Sequence, residues 1–348
     1  MIGVAIIGAG IGAQHLDGYQ KIPGVWDVRA IVDLDLSRAR SVAGDIPVFD
    51  DIAPVLQRAD ISVIDICLPP HLHVPTSLMA LLAGKHVICE KPLATSMRDI
   101  DQLRQAQADT GMRIFPVFQY RFGPSFNALN ALQSAEITGA PLIAAAETHW
   151  ARGADYYGVP WRGTWAGEQG GAVLGHAIHA HDLLCTYLGP IRAVSGAIAT
   201  RANAIETEDC AALNFEFENG ALATSSITLG AARDETRLRF VYENMTATSA
   251  TNPYAPGQDV WTFTARKPAD QSAIDRCISN LQATPSGFAG AFAEIAKALQ
   301  GEPNRAVDFD AGAASIALVT AIYDAARNGT RVTVPVPKSH PLYVGWRP

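Results

Sequence analysis

The sequence predicts an N-terminal α/β domain with a parallel sheet, followed by an α+β domain with an open, mainly antiparallel sheet. Three observations support this fold class. Short apolar runs alternate with helical segments in residues 1–122, alternating polar and apolar residues mark the strands of residues 123–348, and a chain of 348 residues suffices for two hydrophobic cores. We therefore place the domain boundary between residues 122 and 123.

The composition is that of an ordinary globular protein, with 48% apolar and 18% charged residues. The net charge of −7 argues against nucleic acid as a partner, because phosphate binding needs a basic surface. No apolar run approaches the ~18 residues that span a bilayer, and a first strand that begins at Ile2 leaves no space for a signal peptide. The five cysteines lack C-x-x-C spacing, which favours reduced thiols in the cytoplasm.

The first strand runs into a glycine-rich turn with the spacing of a dinucleotide-binding fingerprint. Gly8, Gly10 and Ala13 fit G-x-G-x-x-(G/A), and a helical pattern follows from Gln14. Gly8 permits the tight turn, Gly10 lets the backbone approach a pyrophosphate, and Ala13 keeps strand and helix close. The helix start adds backbone N–H groups for the phosphate charge. The residues expected to bind the coenzyme here are Gly8, Gly10, Ile11 and Gly12.

The second strand, 28–32, ends in an acid at the distance expected for an adenosine-ribose contact. The carboxylate of Asp33 would accept hydrogen bonds from both ribose hydroxyls and repel a 2′-phosphate, so NAD is favoured over NADP. NADP remains an alternative coenzyme, because the guanidinium of Arg38 could bind its 2′-phosphate.

The alternation continues to residue 118 and implies a parallel sheet covered on both faces. Ligands bind at the carboxyl ends of such strands, so the residues that follow each strand define one half of the site. Beyond Asp33 the expected coenzyme contacts are Leu68, Pro69, His71, His73, Glu90, Lys91 and Gln119. The predicted strands are 2–7, 28–32, 48–49, 63–67, 86–89 and 113–118, and the helices are 36–42, 54–58, 74–83 and 97–109.

In the second half, polar and apolar residues alternate visibly, and Asn219-Gly220 predicts a hairpin turn. Helices on only one face would leave the other face of the sheet exposed, so we expect subunit pairing through it, in a homodimer or homotetramer. The predicted strands are 141–150, 192–200, 210–218 and 220–228, with further strands at Val241, Trp261 and Phe263, and the helices are 124–136, 288–299 and 311–328.

The densest polar cluster lies in residues 170–184, which we predict to be helical. At spacings of three and four, Gly175, His176, His179 and Asp182 share one face, and His181 points elsewhere. Three interpretations stay open. A metal site is disfavoured, because no further ligand has recognisable spacing. Core histidines are plausible for His176 and His181. A general base is plausible because an imidazole with a pKa of about 6.5 can take a hydroxyl proton at neutral pH.

The glycine loop at 8–12, the run 68–73 (Leu-Pro-Pro-His-Leu-His) and the run 84–93 resemble the Gfo/Idh/MocA family. The Glu90-Lys91-Pro92 triplet is the most specific part, and the resemblance covers nearly the whole chain. It implies a Rossmann domain and an NAD(P)-dependent oxidoreductase acting on sugars or cyclitols such as inositols. By this resemblance Lys91 is the catalytic-site lysine, and His179 falls on the catalytic histidine.

The sequence departs from the family pattern at two positions. Pro70 replaces the usual Asn, and Gly175 replaces the usual Asp four residues before the histidine. His176 or His149 could fill the place of that acid.

The expected substrate contacts are polar or flat-faced side chains, as sugars require. They are Arg121, Arg152, Tyr157, Trp161, His176 and Asp182, chosen from a set that also holds Asp155, Tyr156, Trp165 and the coenzyme candidate Arg162.

We expect His179 to remove a hydroxyl proton while Lys91 stabilises the alkoxide. Two other functions remain open: a glycosidase that oxidises its substrate transiently with bound NAD, and a non-catalytic cofactor-sensing regulator. A regulator could dispense with Lys91 and His179. The aromatic C-terminal tail, 340–346, would dock either on its own chain or on a neighbouring subunit.

Overall fold

The computed structural model describes residues 1–348, and they divide into two compact units. The first unit comprises Met1–Gln119 together with Gly287–Ile316, and the second comprises Tyr120–Ser286 together with Ala317–Pro348. The division at Gln119 lies close to the expected boundary at residues 122 and 123. A single cut does not describe the chain, however, because Gly287–Ile316 returns to the first unit.

The first unit contains a six-stranded parallel sheet in the order β3-β2-β1-β4-β5-β6. Its central strands are apolar and almost fully buried, as expected for strands covered on both faces. The predicted α/β fold is confirmed, and the strand order reverses between β1 and β4, where ligands bind in such sheets. The strands are β1 Ile2–Ile7, β2 Trp26–Val32, β3 Val48–Phe49, β4 Val63–Ile66, β5 His86–Cys89 and β6 Ile114–Pro116.

One helix from far along the chain packs against the first helix of this unit. The chain approaches closely at Gly18, where a Cβ would lie 2.8 Å from Cβ of Phe288. Tyr19 stacks on Phe292 with ring centroids 4.0 Å apart, and Trp26 donates to the Phe292 carbonyl at 3.1 Å. These contacts place residues 287–300 in the first unit. The helices of this unit are α1 Gly12–Gln20, α2 Leu36–Ala43, α3 Ala53–Leu56, α4 His73–Leu82, α5 Met97–Thr110 and α10 Gly287–Gln300.

The second unit contains an eight-stranded sheet in the order β13-β12-β11-β7-β10-β9-β8-β14. It is mainly antiparallel, as predicted, but β7 and β10 pair in parallel. The hairpin at Asn219-Gly220 joins β9 to β10. The strands are β7 Pro141–Ala151, β8 Ile191–Ala199, β9 Cys210–Phe217, β10 Leu222–Thr228, β11 Gly230–Tyr242, β12 Met245–Ser249, β13 Trp261–Ala265 and β14 Val332–Thr333.

The helices of the second unit are α6 Pro124–Ser134, α7 Ala154–Tyr157, α8 Ile178–Leu188 and α9 Gln271–Ser279. A longer helix, α11 (Phe309–Asn328), begins in the first unit and continues in the second. By length and composition alone α11 could span a membrane, with a mean hydropathy of 1.2, although 78% of that window is buried. Asp310 and Asp324 interrupt the apolar residues of this helix, so no continuous apolar run in it reaches the ~18 residues of the expectation.

The C-terminal tail docks on its own unit. Trp346 is 1% exposed, stacks on Tyr323 with centroids 5.5 Å apart, and donates its indole N–H to the carbonyl of Gln169. Arg327 donates to the carbonyl of Trp346. Of the two arrangements expected for the tail, its own chain or a neighbouring subunit, the structure shows docking on its own chain.

Candidate active site

The turn after β1 needs glycine at two positions. Gly8 has a φ of +102°, and a Cβ there would lie 2.4 Å from the carbonyl oxygen of Cys67. Around Gly10 nothing lies within 4 Å of a Cβ position, so the backbone is open to a pyrophosphate. Close packing of strand and helix falls on Gly12, where a Cβ would lie 2.7 Å from Cγ2 of Ile6. This close contact is thus made by Gly12, the residue directly before Ala13.

Asp33 lies directly after β2 with its carboxylate turned toward the glycine loop. It accepts from the N–H of Ala9 at 2.7 Å and from the N–H of Asp35 at 2.8 Å. Arg38 donates to both of its oxygens, at 2.7 and 3.1 Å. Burial opposes ionisation of Asp33, but these hydrogen bonds outweigh it and lower the pKa of the carboxyl. Asp33 is therefore an ionised acceptor at the edge where a ribose would bind.

His73 opens α4 and is 1% exposed. Its Nδ1 lies 2.6 Å from the carbonyl oxygen of Pro92 and its Nε2 lies 2.7 Å from that of Leu68. Burial lowers the pKa of this imidazole. Both ring nitrogens lie at hydrogen-bond distance from backbone carbonyl oxygens, and a contact of His73 with the coenzyme stays a prediction. His73 joins the segments that follow β4 and β5.

The Glu90-Lys91-Pro92 turn follows β5 at the carboxyl edge of the sheet, and its Lys91–Pro92 bond is cis. Glu90 is 6% exposed, and its Oε2 accepts from the backbone N–H of Lys91 at 3.0 Å. The buried acid thus holds the backbone of the lysine.

A buried ionisable cluster adjoins this turn, and sequence reasoning missed it. His15 of α1 contacts Asp65 of β4 at 2.9 Å and Glu90 at 3.1 Å. Tyr19 also donates to Asp65, at 2.9 Å. An available signal was Asp65 itself, a carboxylate within the apolar run of a central strand.

In the second unit, the histidine segment begins with a π-helical turn at Val173–Ala177 that leads directly into α8. His179 is 4% exposed and stacks on Tyr120 with ring centroids 4.2 Å apart. Asp182, one turn further on, accepts two hydrogen bonds from Arg121 at 2.5 and 2.7 Å. Burial raises the pKa of Asp182 and the guanidinium opposes that shift. The two predicted substrate residues Arg121 and Asp182 thus bind each other.

His176 and His181 have different surroundings from His179. His176 lies 3.2 Å from the hydroxyl of Tyr156, whereas His181 contacts Ser225 at 3.1 Å and is buried against the sheet. Burial lowers the pKa of His181 to about 3, so it is a neutral core histidine, as one interpretation expected. The carboxylate of Asp182 is engaged by Arg121, so these side chains make separate contacts instead of sharing a metal site.

His149 does not fill the place of the missing acid at Gly175. Its neighbour Trp150 contacts His176, with centroids 5.3 Å apart, and successive strand residues point to opposite faces. His149 lies on the other face of β7, where it contacts Ser226 at 2.8 Å. Of the two candidates, only His176 remains.

Two arginines and several aromatic rings form a second polar cluster in this unit. Arg152 pairs with Asp234 at 2.9 Å and donates to Tyr254 at 3.1 Å. Arg162 lies over the ring of Tyr156, 3.9 Å from its centroid. The other predicted residues of this region, Tyr157 and Trp161, are partly buried beside these side chains.

The start of the histidine segment is held by a buried acid. Glu208 is 4% exposed and accepts from the backbone N–H of Gly171 and Val173 and from the hydroxyl of Tyr323, all at 3.0–3.1 Å. Burial raises its pKa to about 7. Glu208 thereby fixes the backbone from which His176 and His179 project.

Two family models match the chain. Residues 2–118 match "Oxidoreductase family, NAD-binding Rossmann fold", and residues 126–248 match "GFO/IDH/MocA C-terminal domain". The chain belongs to the Gfo/Idh/MocA family. The resemblance in the sequence and the NAD-binding Rossmann fold are thereby confirmed, and this member of the family is an oxidoreductase.

Several of the curated relatives are dehydrogenases. Inositol 2-dehydrogenase 3 of Saccharopolyspora erythraea is 32% identical over 145 residues, 40% of this chain and 43% of that protein. D-glucoside 3-dehydrogenase of Escherichia coli is 32% identical over 193 residues, 53% of this chain and 54% of that protein. The chain thus matches about half the length of these relatives. A solved structure, the WlbA dehydrogenase from Bordetella pertussis in complex with NADH and UDP-GlcNAcA, is 25% identical with a TM-score of 0.83, covering 97% of this chain and 99% of that one.

The first unit of this Gfo/Idh/MocA protein fits a nicotinamide dinucleotide. The open backbone at Gly10 suits the pyrophosphate, and Asp33 suits the ribose. At the end of β6, the side-chain oxygen of Gln119 is buried without a hydrogen-bond partner, as expected for an atom that binds a ligand. Ile11, Leu68 and Pro69 are partly buried at the same edge, and His71 is exposed there.

Proposed function

We propose that this protein is an NAD-dependent dehydrogenase that interconverts a secondary alcohol and a ketone on a sugar or cyclitol. The observation that carries the proposal is the placement of Lys91 at the carboxyl edge of the Rossmann sheet, the edge that also bears the glycine loop and Asp33. Inositol and glucoside dehydrogenases among the relatives support a polyol substrate.

In this proposal residues 1–122 hold the dinucleotide, with Arg162 as a further contact, and residues 123–348 hold the substrate. Bound NAD supplies a hydride acceptor at the nicotinamide. The substrate contacts are Arg152, Tyr157, Trp161 and His176, with Arg121 and Asp182 acting as a pair behind His179.

His179 serves as the general base for the substrate hydroxyl. Stacking on Tyr120 fixes the plane of the His179 ring. The lone pair of its unprotonated nitrogen then has a fixed direction in which to accept the hydroxyl proton. The ammonium group of Lys91 stabilises the alkoxide that develops as the proton leaves. A charge pair at about 4 Å with an effective dielectric constant of about 20 is worth about 4 kcal/mol, which is enough to matter for the rate.

We also propose that the protein works in the cytoplasm as a homodimer or homotetramer joined through the open face of the second sheet. All five cysteines are free thiols, which supports a reducing compartment. NAD is proposed over NADP because Asp33 is an ionised acceptor in the ribose position.

A substrate panel tests the activity. Inositols, aldoses and disaccharides are each incubated with NAD and with NADP, while the absorbance of the reduced nicotinamide and the release of free sugar are followed together. We expect reduced coenzyme to accumulate with an inositol or aldose. Release of monosaccharide from a disaccharide without net reduction of coenzyme would instead establish the glycosidase. Tight coenzyme binding with no turnover of any substrate would favour the regulator.

A further inference from the structure

The first unit contains a buried ionisable cluster that the proposed chemistry does not use. His15 and Asp65 are both 0% exposed, and Glu90 is 6% exposed. The Nδ1 atom of His15 lies 2.9 Å from Oδ2 of Asp65, and its Nε2 lies 3.1 Å from Oε1 of Glu90. One imidazole therefore bridges a carboxylate in β4 and a carboxylate at the end of β5.

A carboxylate oxygen faces each ring nitrogen of His15, an arrangement that suits a proton on both nitrogens. A neutral imidazole has one N–H, so its other nitrogen would turn a lone pair toward a carboxylate. Burial by itself lowers the pKa of His15, but Asp65 and Cys67 outweigh burial and raise it well above its ordinary value. An imidazolium charge there offsets part of the charge of two buried acids.

The other groups facing His15 are neutral. Tyr19 donates to Asp65, and burial raises the pKa of its hydroxyl further. Burial raises the pKa of Cys67, whose Sγ lies 3.3 Å from Nδ1, to about 12. From α10, Phe288 and Phe292 cover the ring at centroid distances of 4.6 and 5.2 Å. The imidazole of His15 therefore has Asp65 and Glu90 as its two carboxylate partners.

His15, Asp65 and Cys67 also have the donor atoms of a metal site. A tetrahedral zinc ion would hold its ligand atoms roughly 3.4 Å apart. The 2.9 Å contact of Nδ1 with Asp65 is a hydrogen-bond distance, so this nitrogen already has a partner.

Glu90 connects this cluster to the catalytic turn. One of its oxygens faces His15, and the other accepts from the backbone N–H of Lys91 at 3.0 Å. Without His15, Asp65 and Glu90 would be two buried acids with no donor between them. Glu90 could then rotate, and a rotated Glu90 no longer fixes the lysine backbone in the same way.

We propose that His15 is a positioning residue for catalysis, which holds the Glu90 carboxylate and through it the backbone of Lys91. This inference rests on the proposed function, since it takes Lys91 as the lysine that acts on the substrate. It also couples the helix after the glycine loop to the catalytic turn, so one side chain links the two parts of the coenzyme edge.

The test compares His15→Gln, which keeps a donor without the charge, with His86→Gln at the opposite end of β5. We measure kcat, KM and NADH affinity for each, alone and in a Lys91→Ala background. We expect His15→Gln to lower kcat about 10²-fold, to change NADH affinity far less, and to cause no further loss when Lys91 is already absent. The His86 variant should retain wild-type kcat. Equal losses of kcat and NADH affinity, or a further full loss in the Lys91→Ala background, would show a merely structural role.

A second measurement does not depend on activity or on the folding of a His15 variant. Imidazole NMR of the wild-type protein should show His15 protonated on both nitrogens at pH values where exposed histidines are neutral, and Glu90→Gln should lower its pKa. Titration of His15 in the ordinary range, or a stoichiometric metal ion bound to it, would overturn the proposal. If Lys91→Ala alone retains turnover, the proposed function fails, and the NMR result still decides the state of the cluster.

Discussion

Both carboxylate oxygens of Asp33 accept hydrogen bonds from groups of the protein, and these bonds affect the choice between NAD and NADP. Of the four hydrogen bonds that it accepts, two come from backbone N–H groups and two from Arg38. The Arg38 side chain is 52% exposed, so it can turn away without leaving a buried charge behind. Ribose hydroxyls would take the place of Arg38 on Asp33, whereas a 2′-phosphate would attract Arg38 and be repelled by Asp33.

The first prediction concerns this pair. Arg38→Ala should raise the preference for NAD over NADP about tenfold, because a charge-assisted hydrogen bond to the phosphate is worth about 1.5–3 kcal/mol. The measurement is kcat/KM for both coenzymes with one substrate. Asp33→Ser is the opposing variant and should shift the preference toward NADP. An equal effect of Arg38→Ala on both coenzymes would contradict a role in discrimination.

The second prediction concerns Lys91. Lys91→Ala should reduce kcat about 10²- to 10³-fold, because it removes the group that stabilises the alkoxide, while NADH binding measured by fluorescence is retained. Lys21→Ala is the control, since the Lys21 side chain is 64% exposed and pairs only with Asp17 within α1. Turnover of the Lys91 variant within a few-fold of wild type would remove this residue from the mechanism.

At the scale of elements, the histidine segment depends on an acid from another part of its unit. Glu208 precedes β9 and accepts from two N–H groups at the start of the π-helical turn, where no side chain of the segment caps the backbone. Its pKa is raised from 4.5 to about 7 because burial disfavours the charge. Between these values the folded protein keeps a proton that the unfolded chain loses, so this group makes stability fall as pH rises.

The third prediction follows from that sign. Glu208→Gln keeps an acceptor for the two N–H groups and removes the ionisation. The free energy of unfolding of wild type, relative to this variant, should fall by about 3 kcal/mol between pH 4.5 and pH 7 and stay level outside that range. Urea unfolding of both proteins across this range provides the measurement.

Glu218→Gln, an exposed glutamate beyond β9, is the matched control for Glu208→Gln and should follow wild type. The buried His181, whose pKa is lowered to about 3, makes stability rise with pH below its ordinary range, but it is common to all three proteins and cancels in the difference. A difference between wild type and Glu208→Gln that does not change with pH would show that Glu208 titrates normally.

The same elements show what sequence patterns could and could not predict. Local signals were sufficient for the strands and helices of the Rossmann half and for the hairpin at Asn219-Gly220, because apolar periodicity and turn residues act over short distances. They could not predict that α10 returns to the first unit, since that depends on Gly18 allowing close contact with Phe288. Nor could they predict the parallel pairing of β7 with β10 or the strands β12 and β14.

At the site, the sequence indicated individual candidate residues but not the side chains that each of them contacts. His179 and Asp182 do contact adjacent residues, Tyr120 and Arg121, but only the folded chain brings 120–121 to α8. The His15 cluster was missed because its members lie 50 and 75 positions apart. The π-helical turn at Val173–Ala177 changes the residue spacing from which a face shared by His176 and His179 was predicted.

On the scale of the whole molecule, the open face of the second sheet carries a row of apolar side chains across three neighbouring strands. Ile143 of β7 pairs in register with Leu222 of β10 and with Val241 of β11. Ile143 is 45% exposed and Leu222 is 49% exposed. On the same face, Ala145 pairs in register with Arg239 and Glu147 with Arg237. A second copy of the chain would bury this row against itself.

The fourth prediction is therefore that Ile143→Asp converts an oligomer into smaller species without changing the fold of each subunit. In a twofold interface the same patch occurs on both subunits, so one substitution introduces two charges. An uncompensated buried charge costs about 3 kcal/mol or more, which weakens association about 10²-fold or more. Sedimentation or light scattering should show the change, and circular dichroism should not. Leu82→Asp, at the 76% exposed end of α4, is the control and should leave the assembly intact. If both variants keep the wild-type mass, the open face is not an interface between subunits.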